Sequence, residues 1–594
     1  MIVRRVRGLG GKLWRGGRPT DGALATLPLL LLVAMAWDQR WMSDDGFINL
    51  RVVSQVVAGN GPVFNSGERV EVATSPAWIA VLSGADAALP LRLEWIAVLL
   101  GIALTLTGLG LSIAAAAELW RRPADGVPLV PVGALCLAVL PPVWDYASSG
   151  LEGGLAWAWL GASFFALVRW SRSPVERVAP WTAVLVGIGP LIRPDYAIFT
   201  LVFVVAVSAG EVGRWRARVR PFWLAAVVPV TFQLFRMGYY GALTPNTYFA
   251  KEGGEPRWDQ GWAYLGDFVG TYWVWIPVAA LGLGGVVPLV AGLRQSGERR
   301  GALVAAALPV SGILACLAIV RFGGDFMHAR LFLPPLLAVI APAAVVPVRR
   351  AQVVVLAALV WALVCLVALR PPPLTAERLS RVHDNRAASL FYAQHPHPVT
   401  IEDWGYDPGG PRHIRLDPTH RLYEGSRPLE LGGEPVPLAP GSPPVVVLAY
   451  GVGAVSYSLD TDAYVADLLG LGDVLTARLD LDARGRPGHE KALPPAWVWA
   501  RYIDPDLAPD PSLIEAPAVI RADAPTLASV DDAELARDVA IARAVLGCQP
   551  LARLEDTATE PLTAGRVVDN AVAAVTLFPL RISPDPSAAQ AELC

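Results

Sequence analysis

Long apolar runs alternate with short polar segments through the first 370 residues of the chain. The first run covers about residues 22–37, and no small-residue cleavage site follows it, so it is predicted to be a retained helix rather than a signal peptide. Further runs of roughly membrane-crossing length begin near Leu93, Val127, Leu151, Pro180, Tyr196, Pro221, Thr271, Gly301, Leu331 and Ala351. The pattern predicts a polytopic α-helical membrane protein with about eleven spans.

Basic residues gather on alternate connections between these runs. They are Arg4, Arg5, Arg7, Lys12, Arg15, Arg18, Arg121, Arg122, Arg169, Arg172, Arg177, Arg214, Arg216, Arg218, Arg220, Arg294, Arg299, Arg300, Arg349 and Arg350. Because such residues stay in the cytoplasm, the N-terminus is predicted to be cytoplasmic and the protein to be a multi-pass plasma-membrane protein. The segment 73–89 would break this alternation if it spanned, so it is predicted to be an interfacial or re-entrant helix.

After Arg370 the chain becomes rich in Pro, Gly and Asp, with short apolar runs such as residues 444–450. This change predicts two domains, a transmembrane unit at 1–370 and a mixed α/β domain at 371–594. An odd number of spans places the second domain on the extracytoplasmic side. No internal repeat is apparent, which disfavours a transporter built from inverted repeats.

Polar segments that carry aromatic residues fall on the same outer side as this domain. They are residues 43–51, 59–78, 144–154, 192–196, 235–254 and 321–330. Charged residues make up only 17% of the chain, against ~25% in a typical soluble protein. The opposite face carries only arginine-rich turns, and a bundle that served merely as an anchor would not need this asymmetry. No basic block suits nucleic acid, and the basic N-terminus is explained by topology. The active face is therefore predicted to lie outside.

Two adjacent carboxylates, Asp44 and Asp45, directly follow the first predicted helix. Carboxylates beside a membrane are costly unless they bind a cation, a substrate or a proton. Like charges side by side also raise one pKa, which suits a general base. A solvated Asp-Asp turn is the alternative that the dipeptide alone would favour.

The run at residues 39–78, which contains NGPVFNSGERVE, resembles the opening of the terminal β-(1→2)-arabinofuranosyltransferases of the actinobacterial cell wall. Similar runs recur at 147–155, 191–198, 235–251, 323–330 and 488–491. The resemblance implies a GT-C fold, a decaprenyl-phosphoryl arabinose donor and an arabinan acceptor in arabinogalactan and lipoarabinomannan synthesis. The family's catalytic acidic pair maps onto Asp44 and Asp45. It also implies net retention, which leaves a covalent intermediate on either residue or a front-face attack open.

Further candidate residues lie at the outer ends of the predicted spans. A departing lipid phosphate needs cationic donors, for which the candidates are Arg193, Arg236, Lys251, His328 and Arg330. Candidates for sugar binding are Glu68, Glu71, Glu152, Asp195, Tyr239, Tyr240 and Asp325. The alternatives are headgroup anchors for the basic residues, an ion pair of Glu68 or Glu71 with Arg69, and an interfacial belt for the tyrosines.

Cys548 and Cys594 are predicted to form a disulfide if the C-terminal domain is extracytoplasmic. No cysteine or histidine spacing suggests zinc, and no cofactor is required, although a divalent cation on the acidic pair stays open. The expected partners are the polyprenyl-phosphate donor, the arabinan acceptor and the bilayer. The rival functions are another polyprenyl-phosphate-dependent transferase such as a mannosyltransferase, a transporter of lipid-linked sugar, and a non-catalytic assembly protein.

Overall fold

The computed structural model describes residues 19–120, 128–175, 177–211, 213, 215–348, 352–379, 381–405, 420–481, 484–486, 488–514 and 532–594. Several residues on which the topology prediction depends lie outside the described residues. They are Arg4, Arg5, Arg7, Lys12, Arg15, Arg18, Arg121, Arg122, Arg214, Arg349 and Arg350, together with the predicted span starts at Val127 and Ala351.

The N-terminal half is a bundle of helices. Its helices are α1 (Pro19–Asp38), α2 (Asp44–Val57), α3 (Pro76–Ala88), α4 (Leu93–Trp120), α5 (Val132–Ala138), α6 (Pro141–Ala147), α7 (Gly153–Ser171), α8 (Pro180–Gly187), α9 (Gly189–Ile192), α10 (Ala197–Gly210), α11 (Trp215–Tyr240), α12 (Asn246–Ala250), α13 (Trp258–Tyr272), α14 (Trp275–Leu281), α15 (Val287–Gln295), α16 (Arg299–Phe322), α17 (Leu333–Ile340) and α18 (Gln352–Val367). Two short strands, β1 (Leu129–Val130) and β2 (Val346–Pro347), pair antiparallel within it.

Three helical segments are long and apolar enough to cross a membrane: Leu93–Trp120, Trp275–Gln295 and Arg299–Phe322. Five shorter apolar segments accompany them at Leu24–Asp38, Pro180–Ile192, Pro194–Gly210, Arg330–Ala343 and Gln352–Val367. Within the described ranges, this set does not confirm the predicted count of about eleven spans. The segment predicted to be interfacial contains α3, which has 13 residues and is too short to cross a bilayer as a helix.

Helices α4 and α7 pack closely against each other in the bundle. A Cβ added at Gly108 would lie 2.2 Å from the Trp157 carbonyl oxygen, and one at Gly154 would lie 2.4 Å from the Gly101 oxygen. Small residues allow such close contact between helices in membrane proteins. The contact fixes the N-terminal end of α7, which follows Glu152 directly.

The C-terminal part combines short helices with a mixed sheet. Its helices are α19 (Ala376–Leu379), α20 (Asn385–Ala393), α21 (Gly453–Tyr457), α22 (Pro495–Tyr502), α23 (Asp532–Leu546), α24 (Gln549–Thr559), α25 (Ala564–Thr576) and α26 (Pro586–Leu593). Its strands are β3 (Leu422–Glu424), β4 (Arg427–Pro428), β5 (Glu430–Leu431), β6 (Glu434–Pro435), β7 (Val446–Ala449) and β8 (Tyr464–Asp467).

One four-stranded sheet has the order β4-β3-β7-β8, with β3, β7 and β8 parallel and β4 antiparallel to β3. One core, which includes Trp497 and Trp499, lies wholly within this C-terminal part. Val447 and Val465 of the sheet instead belong to the same hydrophobic core as the bundle. The two parts therefore share buried surface, and the boundary near residue 370 stays a prediction. Cys548 and Cys594 are joined by a disulfide with a Cα–Cα distance of 5.4 Å.

Candidate active site

The acidic pair forms the first turn of α2. The Ser43 hydroxyl caps this helix by accepting a hydrogen bond from the Gly46 amide at 3.0 Å. Carboxylates at a helix N-terminus are stabilised by the partial positive charge there. A Cβ at Gly46 would lie 2.8 Å from the Ser149 carbonyl oxygen, so glycine lets the acidic turn lie directly against the loop before α7.

Asp44 links the bundle to the C-terminal part. Its Oδ1 accepts the Ala454 amide at 2.8 Å and its Oδ2 accepts the Gly453 amide at 3.2 Å. A Cβ at Gly453 would lie 1.9 Å from the Asp44 carbonyl oxygen, so this contact requires glycine. Burial raises the pKa of Asp44 to about 6, and the neighbouring charge of Asp45 adds to the rise. The two hydrogen bonds from the backbone amides oppose this rise. Asp44 thus positions the start of α21 beside α2.

Asp45 instead faces a cavity of about 350 Å³ between the bundle and the C-terminal part. Its side chain keeps 26% of its surface exposed. The charged residues of the cavity wall are Asp45, Glu152, Arg193, Asp195, Lys251, Arg257, Asp325, Arg330 and Arg484. Seven of these nine were candidates from the sequence, so the structure brings most of the predicted site together.

An acidic cluster, defined as Asp45, Glu152, Asp195 and Asp325, lies around two arginines at one end of the cavity. Arg193 Nη1 donates to Glu152 Oε1 at 3.0 Å, and Arg193 Nε donates to Asp195 at 3.0 Å. Arg330 lies 3.4 Å from both Glu152 and Asp325 and 3.7 Å from Asp45. Four carboxylates against two guanidinium groups leave this end with an excess of negative charge when all are ionised.

Two members of this cluster have opposite pKa shifts. Burial alone would raise the pKa of Glu152, but Arg330 and Arg193 lower it to about 2. Burial raises the pKa of Asp45 above its usual value, Lys251 and Arg330 oppose the rise, and the charges of Asp325 and Glu152 add to it. Glu152 is therefore a permanent ion-pair partner, whereas Asp45 is the better proton acceptor.

A basic cluster, defined as Lys251, Arg257 and Arg484, forms the other end of the cavity. Arg257 Nη1 and Arg484 Nε donate to the same Glu490 oxygen at 2.7 and 2.8 Å, and the Glu490 side chain is fully buried. Among the described residues, no carboxylate lies within ion-pair distance of the Lys251 ammonium group. Glu490 is thus the buried carboxylate that Arg257 and Arg484 share, and the exposed Glu255 reaches Arg484 only at 3.7 Å. Three cations against one buried carboxylate leave this end of the cavity positive.

Two predicted phosphate ligands lie elsewhere and have other partners. Arg236 makes a two-point ion pair with Glu71, with Nε–Oε2 at 2.6 Å and Nη2–Oε1 at 3.0 Å. His328 pairs with Asp267 through Nδ1 and lies 3.2 Å from the Tyr272 hydroxyl through Nε2. Neither Arg236 nor His328 lines the charged cavity. The structure therefore does not bring Arg236 and His328 together with Arg193, Lys251 and Arg330, and a role for these two residues at the phosphate stays a prediction.

Four predicted sugar ligands, Glu68, Glu71, Tyr239 and Tyr240, also lie outside the charged cavity. Glu68 is buried, with Oε2 unpaired among the described atoms, and burial and the Asp473 charge raise its pKa to about 7 although Arg501 opposes this. Tyr240 donates to the Pro62 carbonyl at 2.7 Å, and the Tyr239 ring packs edge-on against Tyr240. Glu71 is held by Arg236, whereas Val72, Ala73 and Thr74, which follow it in the chain, line the charged cavity.

Arg257 and Arg484 were missed from the sequence. The run GHEK at 488–491 was a usable signal: Glu490 holds both arginines, and Gly488 lies against the Lys251 side chain. The pair Gly323–Gly324 has positive φ values of 94° and 75°, and a Cβ at Gly324 would lie 2.4 Å from the Tyr264 ring. Glycine at both positions allows this backbone conformation, and the turn brings Asp325 to the cavity wall.

Two characterised proteins are similar to this chain. The terminal β-(1→2)-arabinofuranosyltransferase of Mycobacterium tuberculosis is 33% identical over 531 residues, covering 78% of this chain and 83% of the relative. That of Corynebacterium glutamicum is 31% identical over 528 residues, covering 79% and 75%. The chain belongs to the terminal β-(1→2)-arabinofuranosyltransferase family. The resemblance that the run at residues 39–78 suggested is thereby confirmed.

The protein is therefore a glycosyltransferase. Its family and its long apolar helices indicate that it is a membrane protein. No protein-family model matches the chain, and no solved structure matches it.

Proposed function

We propose that the enzyme transfers arabinofuranose from decaprenyl-phosphoryl arabinose to the non-reducing ends of arabinan. The product is a terminal β-(1→2) linkage in arabinogalactan and lipoarabinomannan. The names of the two relatives supply the sugar and the linkage. The observation that carries the proposal is the division of one cavity into an acidic end at Asp45 and a basic end at Lys251.

The two ends suit the charges that develop during glycosyl transfer. The bond from the anomeric carbon to the phosphate oxygen breaks, and the lipid phosphate departs with negative charge. Lys251, Arg257 and Arg484 receive that charge, because preorganised cations stabilise a leaving phosphate. The anomeric centre becomes oxocarbenium-like, and the carboxylates at the acidic end stabilise it.

Asp45 acts on the acceptor. Net retention in a single step requires the acceptor hydroxyl to bond to the anomeric carbon on the face from which the phosphate departs, and Asp45 takes the proton of that hydroxyl. The raised pKa of Asp45 brings this carboxyl closer to the proton-transfer range of a general base. Glu152, with its pKa of about 2, holds Arg193 and Arg330 in place instead of exchanging protons. The two adjacent aspartates thus divide the work, with Asp44 positioning the C-terminal part and Asp45 performing chemistry.

A lipid-linked donor is supported by a second, apolar cavity of about 250 Å³ beside the first. Val72 and Ala73 line both cavities. The rest of its wall is mostly apolar and comes from α2, the loop after it, α3 and α11. Glu71 is the charged residue of this wall, and its carboxylate is paired with Arg236. Apolar surface next to a cationic cluster suits an isoprenoid chain that ends in a phosphate.

Metal-free transfer is part of the proposal. Both Asp44 oxygens accept backbone amides, so the acidic pair does not offer two carboxylates to one ion. Among the described residues, no group of three His, Cys, Asp or Glu side chains has a metal-holding arrangement. Cationic side chains supply the charge that a divalent ion would otherwise bring to the phosphate.

The same proposal sets the enzyme in the plasma membrane with its N-terminus in the cytoplasm. The C-terminal part from residue 371 then lies on the extracytoplasmic side, where the polysaccharide acceptor is assembled. The disulfide between Cys548 and Cys594 supports an oxidising compartment for that part.

Purified enzyme in nanodiscs, given radiolabelled decaprenyl-phosphoryl arabinose and a short α-(1→5) arabinan, tests the proposal. We expect label to enter the acceptor at its non-reducing end, with a β-(1→2) linkage by methylation analysis. A parallel reaction with polyprenyl-phosphoryl mannose is expected to give no product. Transfer of mannose instead of arabinose, or movement of intact donor across the bilayer without transfer, would contradict it.

A further inference from the structure

Helix α25 of the C-terminal part exposes an apolar stripe. Val568, Val572 and Val575 are 63%, 49% and 55% exposed. Spacings of four and three residues put them on one side of a helix. The opposite side is occupied, since Asn570, Ala573 and Ala574 are buried. A helix that faces only water would carry polar residues at the exposed positions.

The opposite side of α25 packs on the last turn of α11. The Asn570 Nδ2 group donates to the Gly238 carbonyl oxygen at 3.1 Å. A Cβ at Gly238 would lie 2.8 Å from Val567 Cγ1, so the two helices touch at a glycine. This contact fixes the level of α25 at the end of the bundle helix.

Helix α11 has its own exposed apolar stripe, which leads toward that contact. Trp223, Val227, Val230 and Leu234 are 72%, 54%, 53% and 65% exposed. Leu234 precedes Gly238 by four residues, or ~6 Å along a helix that rises 1.5 Å per residue. Helix α11 is not among the apolar segments described above, so its place in the bilayer rests on the span predicted to begin near Pro221. On a spanning helix such an exposed stripe faces lipid acyl chains. The valine stripe of α25 therefore begins where the lipid-facing stripe of α11 ends.

We propose that α25 lies in the headgroup region of the bilayer leaflet on the side of the C-terminal part, with Val568, Val572 and Val575 in contact with lipid. The partner is the lipid bilayer itself. Amphipathic helices that lie in the interface bury their apolar face roughly 5–10 Å into the headgroup and acyl boundary. The proposal concerns the attachment of the domain and does not depend on which sugar is transferred.

This attachment sets the height of the C-terminal part above the bilayer. Arg69, which lies between α2 and α3, donates to the carbonyl oxygens of Thr557 and Glu560. These two residues lie at the end of α24, directly before the turn into α25. Lipid contact at α25 and the arginine contact at α24 thus hold the same corner of the domain. The basic cluster, part of which belongs to this domain, is thereby kept at the membrane surface, where a lipid phosphate lies.

Site-directed spin labelling tests the proposal in the full-length enzyme. Single variants Val568→Cys, Val572→Cys and Val575→Cys are labelled with a nitroxide in nanodiscs of phosphatidylglycerol and phosphatidylethanolamine. Collision rates are measured with oxygen, which concentrates in lipid, and with a water-soluble nickel chelate. Val360→Cys on α18, where Val360 is 54% exposed, is the lipid control, and Arg537→Cys on α23, with 63% side-chain exposure, is the water control. Unmodified enzyme carried through labelling corrects for Cys136, Cys316 and Cys365.

We expect the oxygen-to-nickel collision ratio at the three valine positions to be severalfold above that at position 537 and close to that at position 360. A ratio equal to that at position 537 would overturn the proposal by placing the stripe in water. Low collision rates with both reagents would also overturn it, because they would indicate a protein partner on the stripe. Because all three side chains are exposed, labelling at three sites guards against one variant that fails to fold.

Discussion

The ion pair between Glu71 and Arg236 gives a test that separates structure from substrate binding. Removing one partner, as in Arg236→Met, leaves the Glu71 carboxylate in an apolar wall without its cation. The two side chains are 5% and 9% exposed. Arg236 also donates to Gln233 Oε1 at 2.8 Å and lies over the Phe232 ring at 4.9 Å. None of these contacts leaves the guanidinium group free for a ligand.

The magnitude follows from burial. Breaking a buried ion pair by removing one partner costs about 3–5 kcal/mol, whereas replacing both partners by apolar residues is often neutral or stabilising. The near-complete burial of this pair means that little discount for solvent screening applies. Arg236→Met and Glu71→Leu are each expected to destabilise the enzyme by about 3 kcal/mol. The double variant is expected to recover most of that loss.

Thermal unfolding of the three variants in one detergent, followed by light scattering and intrinsic fluorescence, measures the effect. The donor KM of the double variant is expected to stay close to that of the parent enzyme once folding is recovered. The reasoning is refuted if Arg236→Met leaves the unfolding temperature unchanged while raising the donor KM. That outcome would return Arg236 to the phosphate site that the sequence suggested.

Three further predictions concern the charged groups. Lys251→Ala should lower kcat/KM for the lipid donor roughly 10- to 100-fold, since a hydrogen bond to a charged group contributes about 1.5–3 kcal/mol; the exposed Arg381→Ala serves as control, and an unchanged kcat/KM would remove Lys251 from the phosphate site. Glu68 has a folded-state pKa raised from 4.5 to about 7, so its stabilising effect is complete below pH 4.5 and is lost as the pH rises through 7. Glu68→Gln should therefore raise the unfolding temperature at pH 8 and not at pH 4.5, and equal effects at both would contradict the shift. Chelation with EDTA should leave kcat/KM within about twofold of its starting value, and loss of activity that Mg²⁺ restores would place a metal in the mechanism.

The sequence could predict that several charged residues meet in one site, because the bilayer holds the ends of spanning helices at a common surface. Asp45, Arg193 and Lys251 lie at the ends of apolar runs on one face, and membrane geometry brings such ends to a common surface. The length and position of α3 agree with the interfacial segment predicted at 73–89. The orientation still rests on the distribution of basic residues, because several of the arginines concerned lie outside the described residues, and the span count still rests on the apolar runs of the sequence.

The division of roles could not be predicted, because it depends on partners distant in sequence. An arginine at a span end gives the same pattern whether it is free or paired, so Arg236 and Arg330 could not be distinguished. Asp44 and Asp45 are neighbours in sequence, yet one accepts amides from residues 453 and 454 and the other faces the cavity. Arg484 becomes a cavity residue through Glu490, in a segment that hydropathy did not connect to the bundle.

The proposed role of Asp45 is tested most directly by comparing Asp45→Asn with the exposed control Asp259→Asn. The measurement is single-turnover transfer from decaprenyl-phosphoryl arabinose, with donor affinity measured separately on the same preparations. We predict that Asp45→Asn lowers the transfer rate by roughly 10²- to 10⁴-fold, the range of general-base catalysis, with donor affinity and unfolding temperature nearly unchanged. Asp259→Asn is predicted to react at the parent rate. A transfer rate in Asp45→Asn equal to that of the parent enzyme would contradict the account, because the carboxylate in the cavity would then have no part in the chemistry.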